Sequence, residues 1–221
     1  MVKIYIADTT PLEDELLYRK LYDSLDVDRR SKADHFLFPK DKRLCVAAGT
    51  LLRATLREEH ISEYTLARHP NGKPYLVENE RLCFNLSHSG QMVMCALSDS
   101  EVGCDVEQKG PFDPALAAHV MTQQDLQRIY QEEAGNRADI FFRLWTLKES
   151  YMKATGMGIL LEPGSFGISF HGGSIRAVPC VDRRKFYFKE YIRNDGYCYS
   201  CCCQSDTFPD SLTQVEINTL L

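Results

Sequence analysis

The 221-residue chain has no apolar run approaching the roughly 20 residues that a membrane span needs. Its opening, MVKIYIADTT, lacks a basic stretch followed by an apolar one, so no secretory leader is expected. There is no G-x-x-x-x-G-K-[ST] loop, which weighs against a nucleotide hydrolase of that type. A G-x-S-x-G elbow is also missing, which weighs against a serine hydrolase. Positive charge is not in excess: 26 Lys and Arg stand against 31 Asp and Glu, a net charge of −5. That argues against bulk nucleic-acid binding and leaves room only for a local basic patch. Repeats and low-complexity linkers are absent by eye, and there is a single tryptophan, Trp145.

What is present is ordinary globular composition, 44% hydrophobic and 26% charged, which excludes a disordered chain. The length suits one large domain or two small ones. The nine cysteines are many and odd in number, which fits a reducing compartment better than a disulfide framework. The expectation is a soluble cytoplasmic protein without nucleic-acid or membrane partners. Cys198-Tyr-Ser-Cys201 is a C-x-x-C without a second pair. It lies in YCYSCCC, which reads as a buried strand, since a closed zinc site needs four ligands.

Apolar spacing predicts strands at Val2–Ile6, Leu82–Leu86, Met92–Leu97, Val102–Glu107, Phe166–Phe170, Ile175–Val178, Phe186–Ile192 and Tyr197–Cys203. It predicts helices at Glu13–Leu25, Lys40–Arg57, Thr122–Glu133 and Ile140–Ala154, with Thr122 and Asp125 forming a variant capping box. His69-Pro-Asn-Gly-Lys-Pro74 is a turn. The fold class is α+β with mostly antiparallel strands. The division falls near Glu101, giving halves at 1–100 and 101–221.

Three segments carry chemistry. Asp105 and Glu107 stand at i and i+2 on a strand, so their carboxylates share a face and repel. A hard divalent cation would relieve that repulsion; an edge strand facing solvent would also tolerate it. Glu149 and Lys153 are one helical turn apart, either a surface ion pair or a third carboxylate with a phosphate-binding lysine. Trp145 would anchor that helix in the core. In Phe84-Asn-Leu-Ser-His-Ser89, adjacent residues on a strand point to opposite faces. Ser87 is therefore poorly placed for activation by His88, and contact with a phosphate suits the pattern better. Cys104, between the two acids, points into the core.

Asn-Gly-Lys-Pro (71–74), Phe-Asn-Leu-Ser-His-Ser (84–89), Val-Gly-Cys-Asp-Val-Glu (102–107) and Trp-Thr-Leu-Lys-Glu-Ser-Tyr-Met-Lys (145–153), in that order, resemble the signature blocks of the Sfp-type 4′-phosphopantetheinyl transferases. The resemblance covers about residues 1–205. It implies a monomer of two similar α+β halves with the active site in the cleft between them. The implied reaction moves the phosphopantetheine arm of coenzyme A to a serine of an apo acyl or peptidyl carrier protein, with Mg²⁺ required and 3′,5′-ADP released. The alternative is a non-catalytic homologue that binds coenzyme A or the carrier.

By the same resemblance, Asp105, Glu107 and Glu149 hold Mg²⁺ on the pyrophosphate, and Lys153, Ser87 and His88 contact phosphate. Lys73 meets the 3′-phosphate, and residues 70–74, Pro74 included, lie beside the adenine. Glu149 is the first choice of base, a metal-bound water relayed by Glu107 the rival, and Asp125 an assistant. One block departs: Asp28-Arg-Arg-Ser-Lys32 and Asp41-Lys-Arg43 supply positive charge, but Leu44 stands where an arginine is expected, so Arg43, with Lys42 as the alternative, is carried as the substitute contact to coenzyme A. The carrier is expected to dock near Met157–Leu161, through Met157, Ile159, Leu160 and Leu161.

Overall fold

The computed structural model describes residues 1–220, apart from the side chain of Ile159. The first half runs β1 (Lys3–Asp8), α1 (Glu15–Asp23), α2 (Val27–Asp34), α3 (Pro39–Glu58), β2 (Leu66–Arg68), β3 (Pro74–Leu76), β4 (Cys83–Ser89) and β5 (Met92–Ser98). The second runs β6 (Val102–Gln108), α4 (Pro114–Val120), α5 (Gln123–Gln131), α6 (Arg137–Thr155), β7 (Gly167–His171), β8 (Ser174–Val178), β9 (Tyr187–Tyr191) and β10 (Tyr197–Cys203), and a short β11 (Thr213–Gln214) follows. No helix among the described residues is long and apolar enough to cross a membrane.

Two sheets form the centre: β11-β1-β5-β4 and β6-β10-β9. Strand periodicity explains how they stack. On β1 and β5, Tyr5, Ala7, Val93, Cys95 and Leu97 face the helix α3 and its core, whereas Ile4, Ile6, Met94 and Ala96 face the other sheet. From the second sheet, Val102, Cys104, Val106, Cys201 and Cys203 meet them. The reverse face of β6 lies under α6. The order is therefore helix, sheet, sheet, helix, with one hydrophobic core in each gap. Cys104 is a core residue, and YCYSCCC is the buried strand β10.

Gly103 sets the fit of α6 on β6. A Cβ there would stand 2.1 Å from the Ser150 carbonyl oxygen and 2.3 Å from the Ala154 nitrogen. Without a side chain at this point the helix backbone lies directly on the strand, which draws Glu149 and Lys153 down to Asp105.

The chain crosses between halves once more than the division at Glu101 implies. β11 pairs in parallel with β1, and Ile217 is buried in the core beneath α3. Residues 213–220 thus belong physically to the first half.

Candidate active site

β4 and β6 meet edge to edge, yet they share no backbone ladder. Side chains take its place. β4 continues to Ser89 instead of turning at Ser87, so Asn85, Ser87 and Ser89 line one edge at spacing two. Asn85 Oδ1 accepts from the Cys104 amide at 2.9 Å, Ser87 Oγ from Val106 at 3.4 Å, and Ser89 Oγ from Gln108 at 3.1 Å. These are alternate amides of an edge strand that would otherwise be left unpaired. The serines also donate: Ser87 to Asp105 Oδ1 at 2.8 Å, Ser89 to Glu107 Oε2 at 2.6 Å. The seam between the halves is what aims the two carboxylates.

From α6, Lys153 Nζ reaches Asp105 Oδ1 at 2.6 Å, Ser87 Oγ at 3.1 Å and the Cys104 carbonyl at 3.3 Å. Trp145 is half-buried and packs on the second-half core. Burial pushes the Asp105 carboxyl above its usual range, against the pull of Lys153. Burial and then the charge of Asp105 raise Glu107, while Ser89 opposes. Glu149 is raised by burial and by Asp105 and Glu107, with Lys153 opposing. Burial acts to depress Lys153, but Asp105 beside it lifts it overall.

Asp105 Oδ2 is buried and has no hydrogen-bond partner. An orphaned carboxylate oxygen beside two raised carboxyls is what a hard cation would satisfy. Among the described residues no three acidic, His or Cys side chains already stand at ligating separation. The Lys153 ammonium neutralises Asp105 in the present arrangement.

A cavity of about 670 Å³ opens beside the seam. Arg29, Lys32, Arg68, His88 and Pro74 line it. Desolvation in the cavity, then Arg29 and Arg68, lower Lys32. Desolvation, then Lys153, Lys32 and Arg29, lower His88. Crowded cations depressing one another mark a place for an anion.

Arg29 explains the departure at Leu44, which is buried in the first-half core. Arg29 crosses from α2, donates from Nε to the Cys45 carbonyl at 3.1 Å, and lies on Gly49, where a Cβ would stand 2.7 Å from Nε. A cation thus arrives from α2 where one from α3 was expected. Arg29 and Lys32 share one face of α2 at spacing three, a signal legible only once that stretch is taken as helical.

Four of the expected contact residues are engaged elsewhere in this structure. Arg43 lies on a different face, 3.7 Å from Glu13, and lines none of the cationic cavity. Lys73 spends its three donors on Glu101 at 2.6 Å, the Val102 carbonyl at 3.1 Å and the Ala154 carbonyl at 3.2 Å, clamping the 69–74 turn to α6. Ser87 is buried in the seam, its hydroxyl already shared among Asp105, Lys153 and Val106. Asp125 is buried with Lys148, 2.9 Å away, and caps α5 through Thr122. Its carboxylate faces Lys148, Thr122 and the Ile168 amide rather than the seam.

Leu161 is buried and Met157 packs on the second-half core, while Leu160 is 74% exposed. The Ile159 side chain lies outside the described residues.

Comparison with known proteins gives the class. A family model described as the 4′-phosphopantetheinyl transferase superfamily matches residues 101–202, and one described as 4′-phosphopantetheinyl transferase, N-terminal, matches residues 10–100. The chain is 30% identical to the psf-1 transferase of Bacillus pumilus, over 76% of this chain and 72% of that protein. It is 26% identical to 4′-phosphopantetheinyl transferase Sfp of Bacillus subtilis over 88% of both chains. With the ffp transferase of Bacillus subtilis it shares 25% identity over the full length of both. The chain belongs to the Sfp-type 4′-phosphopantetheinyl transferases.

Proposed function

We propose that the cleft at the β4–β6 seam transfers the 4′-phosphopantetheine arm of coenzyme A to a serine of an apo acyl or peptidyl carrier protein, and that the enzyme works as a monomer. The observation that supports this most is the orphaned, buried Asp105 Oδ2 beside Glu107 and Glu149, next to a cationic cavity of nucleotide size. Intact acids and Lys153 disfavour a purely binding homologue.

Arg29, Lys32, Arg68 and His88 hold the phosphates of the adenosine end, with Pro74 against the nucleotide. Asp105, Glu107 and Glu149 would hold Mg²⁺, which when bound offsets charge on the pyrophosphate and on the departing 3′,5′-ADP. Glu149, whose carboxyl is raised by burial and which alone of the three acids has no side-chain hydrogen bond among the described residues, takes the proton of the carrier serine. The serine oxygen bonds to the phosphorus that carries pantetheine, and the P–O bond to the 5′-phosphate of the nucleotide breaks. Lys153 follows that charge from the Asp105 side.

The test is incubation with coenzyme A, Mg²⁺ and several apo carriers, read by intact mass. A gain of one phosphopantetheine is expected; no gain on any carrier would overturn the reading. Two variants probe its parts. Lys32→Glu is expected to erase most of the preference for coenzyme A over 3′-dephospho-coenzyme A, a loss of about tenfold or more in relative affinity by calorimetry. Ser89→Ala frees Glu107 on one side. It is expected to raise the half-saturating Mg²⁺ concentration by about tenfold, and an unchanged metal requirement would count against the hold on Glu107.

A further inference from the structure

Arg43 is a cation the cleft chemistry does not use, and it lines a separate cavity near the end of β6. With Lys40, Glu13, Thr9, Thr10, Gln91 and Gln108 it lines a cavity of about 450 Å³. Gln108 directly follows Glu107 on β6, and Ser89 bonds both the Gln108 amide and the Glu107 carboxylate, so the cavity lies near the Glu107 end of that strand. Lys73 and the end of α6 close the opposite end. Just before Lys40, at the start of α3, Leu37 is 88% and Phe38 68% exposed. They are the only sequence neighbours among the exposed large apolar residues described. Phe36, one residue earlier, packs inward on the first-half core, which fixes the outward direction of the next two.

Building on the transferase reading, we propose that Leu37, Phe38, Lys40 and Arg43 form a docking surface for the carrier protein, taking the acidic helix next to its acceptor serine. Charge and position single out that occupant. The chain is net acidic, so its long-range field repels an acidic partner. Lys40, Lys42 and Arg43 lie within four positions, opposed there only by Asp41, and Glu13 is the one carboxylate lining the cavity. An acidic helix set against them would place apolar side chains on Leu37 and Phe38 and leave its serine at the mouth beside Glu107. Among the described side chains of 157–161, Leu160 is the exposed large apolar one.

The test compares wild type, Phe38→Asp and the double variant Lys40→Glu with Arg43→Glu. Phe38 and Lys40 are exposed and Arg43 is half-buried beside Glu13, so thermal melts check folding. The expected result is a KM for the apo carrier raised at least tenfold in both variants. The Kd for coenzyme A, by calorimetry, should stay within twofold, and kcat at saturating carrier within about threefold. Wild-type KM should rise with salt, and that rise should flatten in the charge-reversed variant. Carrier KM unchanged in both variants, while the wild type still modifies the carrier, would overturn the docking surface alone. A wild type inert on every apo carrier would instead overturn the transferase reading. Sedimentation adds one more outcome against the proposal: a dimer that Phe38→Asp splits, with carrier KM unmoved, would make this face a contact between two copies of the chain.

Discussion

Glu149→Gln is expected to lower kcat/KM for transfer by at least 100-fold, about 2.7 kcal/mol of transition-state stabilisation, while leaving the protein as stable as before or more so. Both halves of that expectation come from one environment. Glu149 is half-buried, makes no side-chain hydrogen bond among the described residues, and feels Asp105 and Glu107 as like charges. Its carboxyl is therefore raised above the unfolded value, so ionising it at neutral pH costs folding free energy. That cost is absent below the unfolded carboxylate pKa, and it grows as pH rises through the folded one. In EDTA, the variant should melt at or above the wild-type temperature at pH 7–8, and the difference should vanish near pH 4. Asp105→Asn is a poorer probe. It removes the partner of Lys153 and one acceptor of Ser87, so stability and catalysis fall together. Transfer by Glu149→Gln within threefold of wild type, at saturating Mg²⁺, would remove Glu149 from both the metal and the base roles.

How much of this was legible in the sequence depended on period. The strands that bracket the site, β4, β5, β6 and β10, alternate cleanly or are short apolar runs, and α3 and α6 carry long apolar faces, so an α+β chain could be read directly. What failed was local. VDRRSKAD buries only Ala33, so α2 shows no apolar stripe, and its cations could be read as positive charge but not set on one helix face. β2 and β3 are three residues each, below the length at which alternation can be seen. The segment PALAAHV had an Asp before its proline, a start signal, yet too few residues to count as periodic. Ser87 and Lys73 show a different limit. Both were recognised as polar groups near phosphate chemistry, but sequence does not say whether a donor is already spent. Ser87 is spent on the seam and Lys73 on the end of α6, and only coordinates reveal that accounting.

Asp125 and Lys148 make the sharpest contrast with Glu149, because here stability, not chemistry, is expected to fail. Lys148 is fully buried. Besides Asp125 it donates to the carbonyls of Val120 at 3.2 Å, Pro163 at 2.8 Å and Phe166 at 2.6 Å. It thereby ties the end of α4 and the loop before β7 to the middle of α6. Asp125 closes the cluster by capping α5 and accepting from the Ile168 amide at 3.2 Å. Burial lowers the lysine, and Asp125 offsets that only in part. Lys148→Met strands a buried carboxylate and releases three carbonyls at once. The expected loss is about 3–5 kcal/mol, which for a chain of this size lowers the melting temperature by about 6–20 °C. Asp125→Ala strands the ammonium instead and should cost a similar amount. At 10 °C, where a folded fraction remains, kcat per folded molecule should stay within a few-fold of wild type, because neither group reaches the cleft. A kcat loss of 100-fold for Asp125→Ala with the melting temperature unmoved would restore Asp125 as a group in proton transfer and make the buried pair incidental.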